Sequence, residues 1–277
     1  MGRFKIFHVS KQYKSFYIGS AITLSLLVCT IFAEYIAPFD PIAQDMSAVL
    51  TPPGLKHWLG TDYLGRDIFS RIIFGSRVSL MVGFFSMIFA MVSGVALGLI
   101  AGFYGSWIDN AIMRITDTML AFPRLILALI ITAFLGQSLW NVILALSITG
   151  MPVFSRIIRG ETLSIMTRDF IRSARAFSAS NTRIMAVHVL PNVMNLVIVQ
   201  ASLSIAFAIL TEASMSFLGL GVPPPHPSWG MMLQSGYSYM GVAPWLALAP
   251  GIVIFIAVLG FNFLGEWVEH YISHLSR

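Results

Sequence analysis

The side chains able to do chemistry are few in this chain, and the most regular set is basic. Arg168, Arg172 and Arg175 recur at i, i+4 and i+7, which places three cations on one side of a helix. Phe170, Ala174 and Phe177 recur at the same spacing on another side. Thr167 is placed to cap that helix, Asp169 in its first turn suits the helix dipole, and Ser178 to Asn181 end it. Such a helix recognises rather than reacts: an apolar stripe with a basic edge lies on anionic lipid or fits a groove on another protein. A second set is Gln200, Ser204, Thr211 and Glu212, polar residues in an apolar stretch. Polar groups inside a membrane are costly and therefore candidates for lining a solute path. Glu212 is the strongest of them, with a capping or pairing role beside Ser214 as an equally good alternative. His270 and His274, with Glu266 one turn before, have chelating spacing. No further ligand cluster accompanies them, so an amphipathic tail is the simpler reading and no metal site is expected. No His-Glu-x-x-His, Gly-x-Ser-x-Gly or Gly-x4-Gly-Lys-Ser/Thr pattern occurs, so neither hydrolase chemistry nor ATP hydrolysis is expected of this chain.

What must position these residues follows from the composition. Of 277 residues 57% are hydrophobic and only 10% charged, against about 25% charged in an ordinary soluble domain. A soluble fold of this size could not bury so much apolar surface, and disorder needs the opposite composition. A single cysteine, Cys29, excludes an internal disulfide framework. The expected class is an all-α polytopic membrane protein. Charge-free runs at 15–33, 78–108, 125–155, 184–211 and 213–265 locate the spans. The last run is interrupted by Gly221-Val222-Pro223-Pro224-Pro225-His226-Pro227, which must be a loop, and the third by Gly136-Gln137-Ser138. Six spans are expected: 16–36, 78–103, 115–135, 139–159, 190–213 and 245–266. The third carries Asp117, Pro123 and Arg124, so its first turns are expected at the interface or against protein, with Arg124 able to snorkel to the headgroups if that end is cytoplasmic. The first span follows Arg3, Lys5, Lys11 and Lys14 but is longer than a signal-peptide core of about 7–15 residues, so a retained span is expected.

Basic residues set the orientation. With residues 1–15 as a cytoplasmic tail, 13 of the 17 basic residues fall on the inner side, six of them between Arg156 and Arg183. That supports cytoplasmic N- and C-termini, the latter within a tail of 267–277. The net charge of +5 thus carries topology rather than a nucleic-acid footprint. Segment 37–77 is then an outer loop in which Thr61 or Asp62 caps a short surface helix, either structural or a platform for an external partner. Gly94, Gly98 and Gly102 share one face of the second span, a pattern that lets another backbone approach closely, either within this chain or from a partner.

Family-specific stretches accompany this pattern. Segment 170–192 resembles the cytoplasmic EAA loop of binding-protein-dependent ABC importer permeases, keeping Ala174, Ala176 and Leu190-Pro191-Asn192. It departs at Arg172, where the motif names Glu, and at Ser178, where it names Gly. Leu59-Gly60-Thr61-Asp62 through Gly65-Arg66-Asp67, Ser214 through Gly221, Pro224-Pro225-His226-Pro227-Ser228-Trp229-Gly230 and Phe261-Asn262-Phe263-Leu264-Gly265 resemble the dipeptide/oligopeptide/nickel permease family, in particular the second of its two permeases. The resemblance runs from about residue 20 to 270. It implies a type I (MetI-like) transmembrane domain in the bacterial inner membrane, with a permease core over 78–266 and a coupling loop over 160–189. It further implies a homologous sister permease, two cytoplasmic ATPases holding ATP and Mg, and an extracytoplasmic substrate-binding protein. The cargo implied is peptides, nickel or metal chelates. Arg168, Asp169, Phe170, Arg172, Ala174, Arg175, Phe177 and Ser178 would meet the ATPase. A secondary transporter of small solutes is the competing class.

Overall fold

Backbone that crosses lipid must satisfy its hydrogen bonds internally, and here it does so with helices. The computed structural model describes the backbone of residues 2–275 and the side chains of residues 14–272. The helices are α1 (Gly2–Ile31), α2 (Ala33–Ile36), α3 (Ile68–Tyr104), α4 (Ser106–Ala121), α5 (Arg124–Leu135), α6 (Leu139–Met166), α7 (Asp169–Ala176), α8 (Asn181–Arg183), α9 (Leu190–Phe217), α10 (Trp229–Tyr237) and α11 (Trp245–Leu275). Among the described residues five stretches are long and apolar enough to cross a membrane, and α4 with α5 makes a sixth only as a broken span.

Four expectations about the elements need correcting. The helix that holds the second span extends well before 78. It starts at Ile68, because Asp67, and not Thr61 or Asp62, caps it by accepting from Ser70 N at 2.8 Å. The third span is not one helix. α4 and α5 meet at 98° across Phe122-Pro123, both extended, since proline disfavours helical backbone in the residue before it. The fifth helix runs unbroken from Asn181 rather than from 190, through a π-helical turn over Ile184–Val189. That widened turn lies where Pro191 removes the helical bond to Val187. The fourth helix continues to Met166 and carries Pro152 within it.

α3 and α6 form the central pair, running parallel. A Cβ added to Gly94 would lie 2.6 Å from Met151 O, one on Gly98 2.6 Å from Ser155 O, and one on Gly102 2.7 Å from Thr162 Cβ. The glycine face therefore serves packing within this chain. α9 closes against both α3 and α6, and α11 against α9. α1 sits at the edge on α11, where Gly260 abuts Ile22. At one end of the bundle Ile158, Ile165, Ile171, Ile184, Val189, Val193 and Val197 form a core beneath α7. At the other end Leu50 and Leu59 of the segment before α3, and Ile68 and Ile72 of its first turns, pack with Met232, Ala243 and Leu246 over α10 and the start of α11.

That cap, on the side expected to be outer, is built on three carboxylates. Asp62 Oδ1 accepts from Leu64 N (2.9 Å) and Arg66 N (3.0 Å), while its Oδ2 accepts from Arg66 Nε at 2.7 Å. Asp67 joins buried His57 Nδ1 (2.9 Å) to the Ser70 hydroxyl (2.7 Å). Asp45, an exposed 3-10 cap, is held below the usual carboxylate range by hydrogen bonds from Ser47. Gly65, at φ +71, has its Cβ position 1.8 Å from Asp45 O, so no side chain fits there.

Candidate functional site

α7 is an eight-residue helix between two long ones. It is shorter than the 167–180 stretch read from sequence, because Thr167 closes α6 instead of opening α7 and Arg168 occupies the cap position without a side-chain bond. Its fixed side is also different. Ile171 is 1% exposed and packs with Ala174 into the core beneath, whereas Phe170 is 39% and Phe177 88% exposed. Within this chain the helix is therefore held by Ile171 with Ala174, which leaves Phe170 and Phe177 on the accessible side. The sequence signal was an i, i+3 pair, outweighed by the larger aromatic residues at i, i+7. Arg168, Arg172 and Arg175 are all exposed. Arg172 faces Asp169 at 3.5 Å, a pair so open to solvent that it stabilises little. The result is a small platform, anchored from below by one isoleucine and presenting two aromatic rings and three cations.

The end of α7 has a defined geometry. Ala179 N donates to Ala174 O (3.1 Å) and Ser178 N to Arg175 O (2.9 Å), the Schellman pattern. Its pivot is Ser178 at φ +57. Left-handed backbone at this position is the physical reason the EAA motif names glycine there, and this chain adopts it with a side chain present.

Not all six arginines of 156–183 belong to that platform. Arg159 meets Asp109 through Nε (2.7 Å) and Nη2 (2.5 Å), and Arg156 hydrogen-bonds Asp117. These two pairs fasten α4 across α6. Arg124 is a second surprise. α5 has 12 residues, about 18 Å of helix against a hydrocarbon core of about 30 Å. Its first residue, Arg124, faces protein, with Nη2 3.0 Å from where a Gly150 Cβ would sit, near the middle of α6. Its buried Nε has no hydrogen-bond partner among the described residues.

The polar residues of α9 divide. Gln200 Nε2 donates to Ser204 Oγ at 3.2 Å, one turn away. Thr211 turns back to Phe207 O at 2.6 Å. Glu212 is 0% exposed and accepts from Ser216 Oγ at 2.7 Å, with Ser79 Oγ at 3.5 Å. Ser79 in turn accepts from Trp229 N at 3.3 Å, and Trp229 Nε1 donates to Ile72 O at 3.0 Å. Glu212 is therefore a knot between α3, α9 and α10 and faces no open path in this conformation. Sequence missed Ser79 and Trp229 as its neighbours because they lie far away along the chain. His270 sits near the end of α11, and the side chain of His274 lies outside the described residues.

Residues 94–274 match the family described as binding-protein-dependent transport system inner membrane component. Residues 7–53 match the N-terminal transmembrane domain of oligopeptide transport permease C. The chain is 44% identical over 256 residues to the dipeptide transport system permease protein DppC of Alkalihalophilus pseudofirmus, covering 92% of this chain and 84% of that protein. It is 43% identical to the glutathione transport system permease protein GsiD of Pectobacterium atrosepticum (88% and 81% covered). It is 42% identical to the di/tripeptide transport system permease protein DppC of Pseudomonas aeruginosa (90% and 84% covered). Among solved structures, an inward-facing form of the MetNI methionine ABC transporter aligns with TM-score 0.60 at 21% identity, over 74% of this chain and 97% of that one. That last likeness concerns the fold alone.

Proposed function

The chain belongs to the binding-protein-dependent transport system inner-membrane-component family, as a multi-pass permease of an ABC importer, and from that premise we propose that it conducts small peptides and is driven through α7. The observation that carries the coupling is α7 itself: a short helix whose one buried residue, Ile171, roots it among α6 and α9 while its aromatic and basic side chains point away. A push on α7 reaches Ile158, Ile165, Val193 and Val197 without a flexible link between. Packed cores switch between discrete arrangements and do not deform continuously. In this reading two cytoplasmic ATPases hold ATP and Mg, close under the drive of ATP, and move α7 and with it the long helices. Phe170 and Phe177 seat in the ATPase surface, and Arg168, Arg172 and Arg175 pair with acidic groups around the seat.

Peptide cargo is supported by the printed names of the relatives, which concern dipeptides, di/tripeptides and glutathione. None of those three is named for nickel or a metal chelate. A sister permease completes the pathway in this reading, and an extracytoplasmic binding protein delivers the peptide at the α10 end. The termini and α7 are cytoplasmic. Secondary transport draws no support from these relatives.

Phe170→Asp in the whole importer, reconstituted with its binding protein, tests the coupling. Peptide uptake is expected to fall at least tenfold while the chain still inserts and basal ATP hydrolysis continues. Unchanged uptake would remove α7 from the drive train.

A further inference from the structure

Stretches far apart in sequence meet at the α10 end around a cavity of about 450 Å³. Arg66 and Arg71 line it from the outer cap and the first turn of α3, Gln137 from the turn between α5 and α6, Val222 from the proline-rich loop, and Gln234 from α10. The volume falls within the range of small-molecule sites, about 300–1,000 Å³. Its charges do not cancel. Asp62 is the counter-ion common to both arginines, hydrogen-bonded to Arg66 Nε at 2.7 Å and 3.6 Å from Arg71 Nε. Asp67 is engaged by His57 and Ser70, and Asp45 faces Lys56. Arg71 spends Nη1 on Pro41 O at 2.8 Å, so it braces the cap. The Arg66 guanidinium hydrogen-bonds through Nε alone among the described residues, with its Cζ over the Tyr63 ring at 5.5 Å. Two arginines against one carboxylate leave an excess positive charge in a walled space. A guanidinium with free terminal N–H groups is shaped to take a carboxylate on two hydrogen bonds. Neutral amides and apolar wall atoms complete the cavity.

We propose that this cavity is a receiving site for a small peptide, with Arg66 holding the free C-terminal carboxylate. The inference rests on the peptide-permease reading and adds to it an anchor and a charge requirement. Gln234 and the proline-rich loop face the rest of the peptide, whose side chains are contacted without strong selection.

The test uses the complete importer in proteoliposomes with its binding protein at saturation by either of two probes, dialanine or dialanine amide. The binding protein is identical in every arm, so a change in the acid-to-amide uptake ratio belongs to the permease. Arg66→Gln is expected to lower that ratio roughly tenfold or more, through loss of the acid's uptake, and Arg66→Lys to keep most of it. Gln234→Glu, an exposed substitution that does not threaten folding, places a competing carboxylate in the cavity and is expected to lower the ratio in the same sense. An unchanged ratio in Gln234→Glu and in whichever Arg66 variants assemble overturns the site. So does a loss of binding-protein affinity equal for both probes, which would assign Arg66 to that partner. If the unaltered importer carries neither probe, the peptide reading falls and takes this site with it; transport of both with no dependence on Arg66 or Gln234 sinks the site alone.

Discussion

Ser178 holds a backbone conformation that L side chains resist, at a cost of roughly 1–2 kcal/mol relative to glycine. Both hydrogen bonds that close α7 depend on it. Ser178→Gly is therefore expected to stabilise the end of α7 by about 1 kcal/mol. Amide exchange over residues 169–179 should slow by about fivefold, with exchange in α6 unchanged. Faster or equal exchange would mean that the serine hydroxyl compensates for the strain. Ile171 makes the complementary point. It is the one buried side chain of α7, and nothing about its type distinguishes it from the flanking phenylalanines in sequence. Burial there is decided by the angle at which α6 delivers the chain, which the i, i+4, i+7 pattern does not contain.

At the scale of elements, charge-free runs found every long helix, because lipid imposes helix and length together. The ends were less legible. Asp67 won the cap of α3 over Thr61 and Asp62 because Thr61 is taken by Ala48 O, and Asp62 by the backbone of its own turn. Pro123 was visible as a flaw in a span, but its 98° consequence depends on α4 being fastened across α6 by Asp109 and Asp117. The α3–α6 seam yields a prediction with a control. Gly98→Ala drives a methyl group to 2.6 Å from Ser155 O and is expected to cost about 1–3 kcal/mol. Gly160→Ala meets nothing within 4 Å and is expected to be neutral or stabilising. Thermal unfolding of the purified protein in detergent reads both, and equal midpoints for the two variants would dissolve the seam.

For the whole molecule the basic residues still argue one orientation. Removing Arg124 from the inner set, since its side chain packs on α6, leaves 12 of the remaining 16 basic residues there, a change too small to reverse the rule. In a Cys29→Ser background, Lys56→Cys should react with a membrane-impermeant maleimide in intact cells, and Ser178→Cys should react only after the membrane is opened. Labelling of Ser178→Cys in intact cells would invert the assignment. The convergence of the outer cap, the α5–α6 turn and the proline-rich loop on one cavity was not legible from sequence. Each stretch carried family resemblance separately, and only the packing of α10 and α11 against α9 and α3 brings them together.

The glycine face of α3 also sets a schedule. Gly94 meets Phe154, and Gly102 meets Thr162, so each contact joins residues about 60 positions apart along the chain. At roughly 5–20 residues per second, a ribosome takes about 3–12 seconds to deliver the partner after the glycine has emerged. During that interval α3 stands in the membrane with its notched side unfilled. Whatever shelters a nascent helix at the insertion machinery must hold this one until α6 arrives.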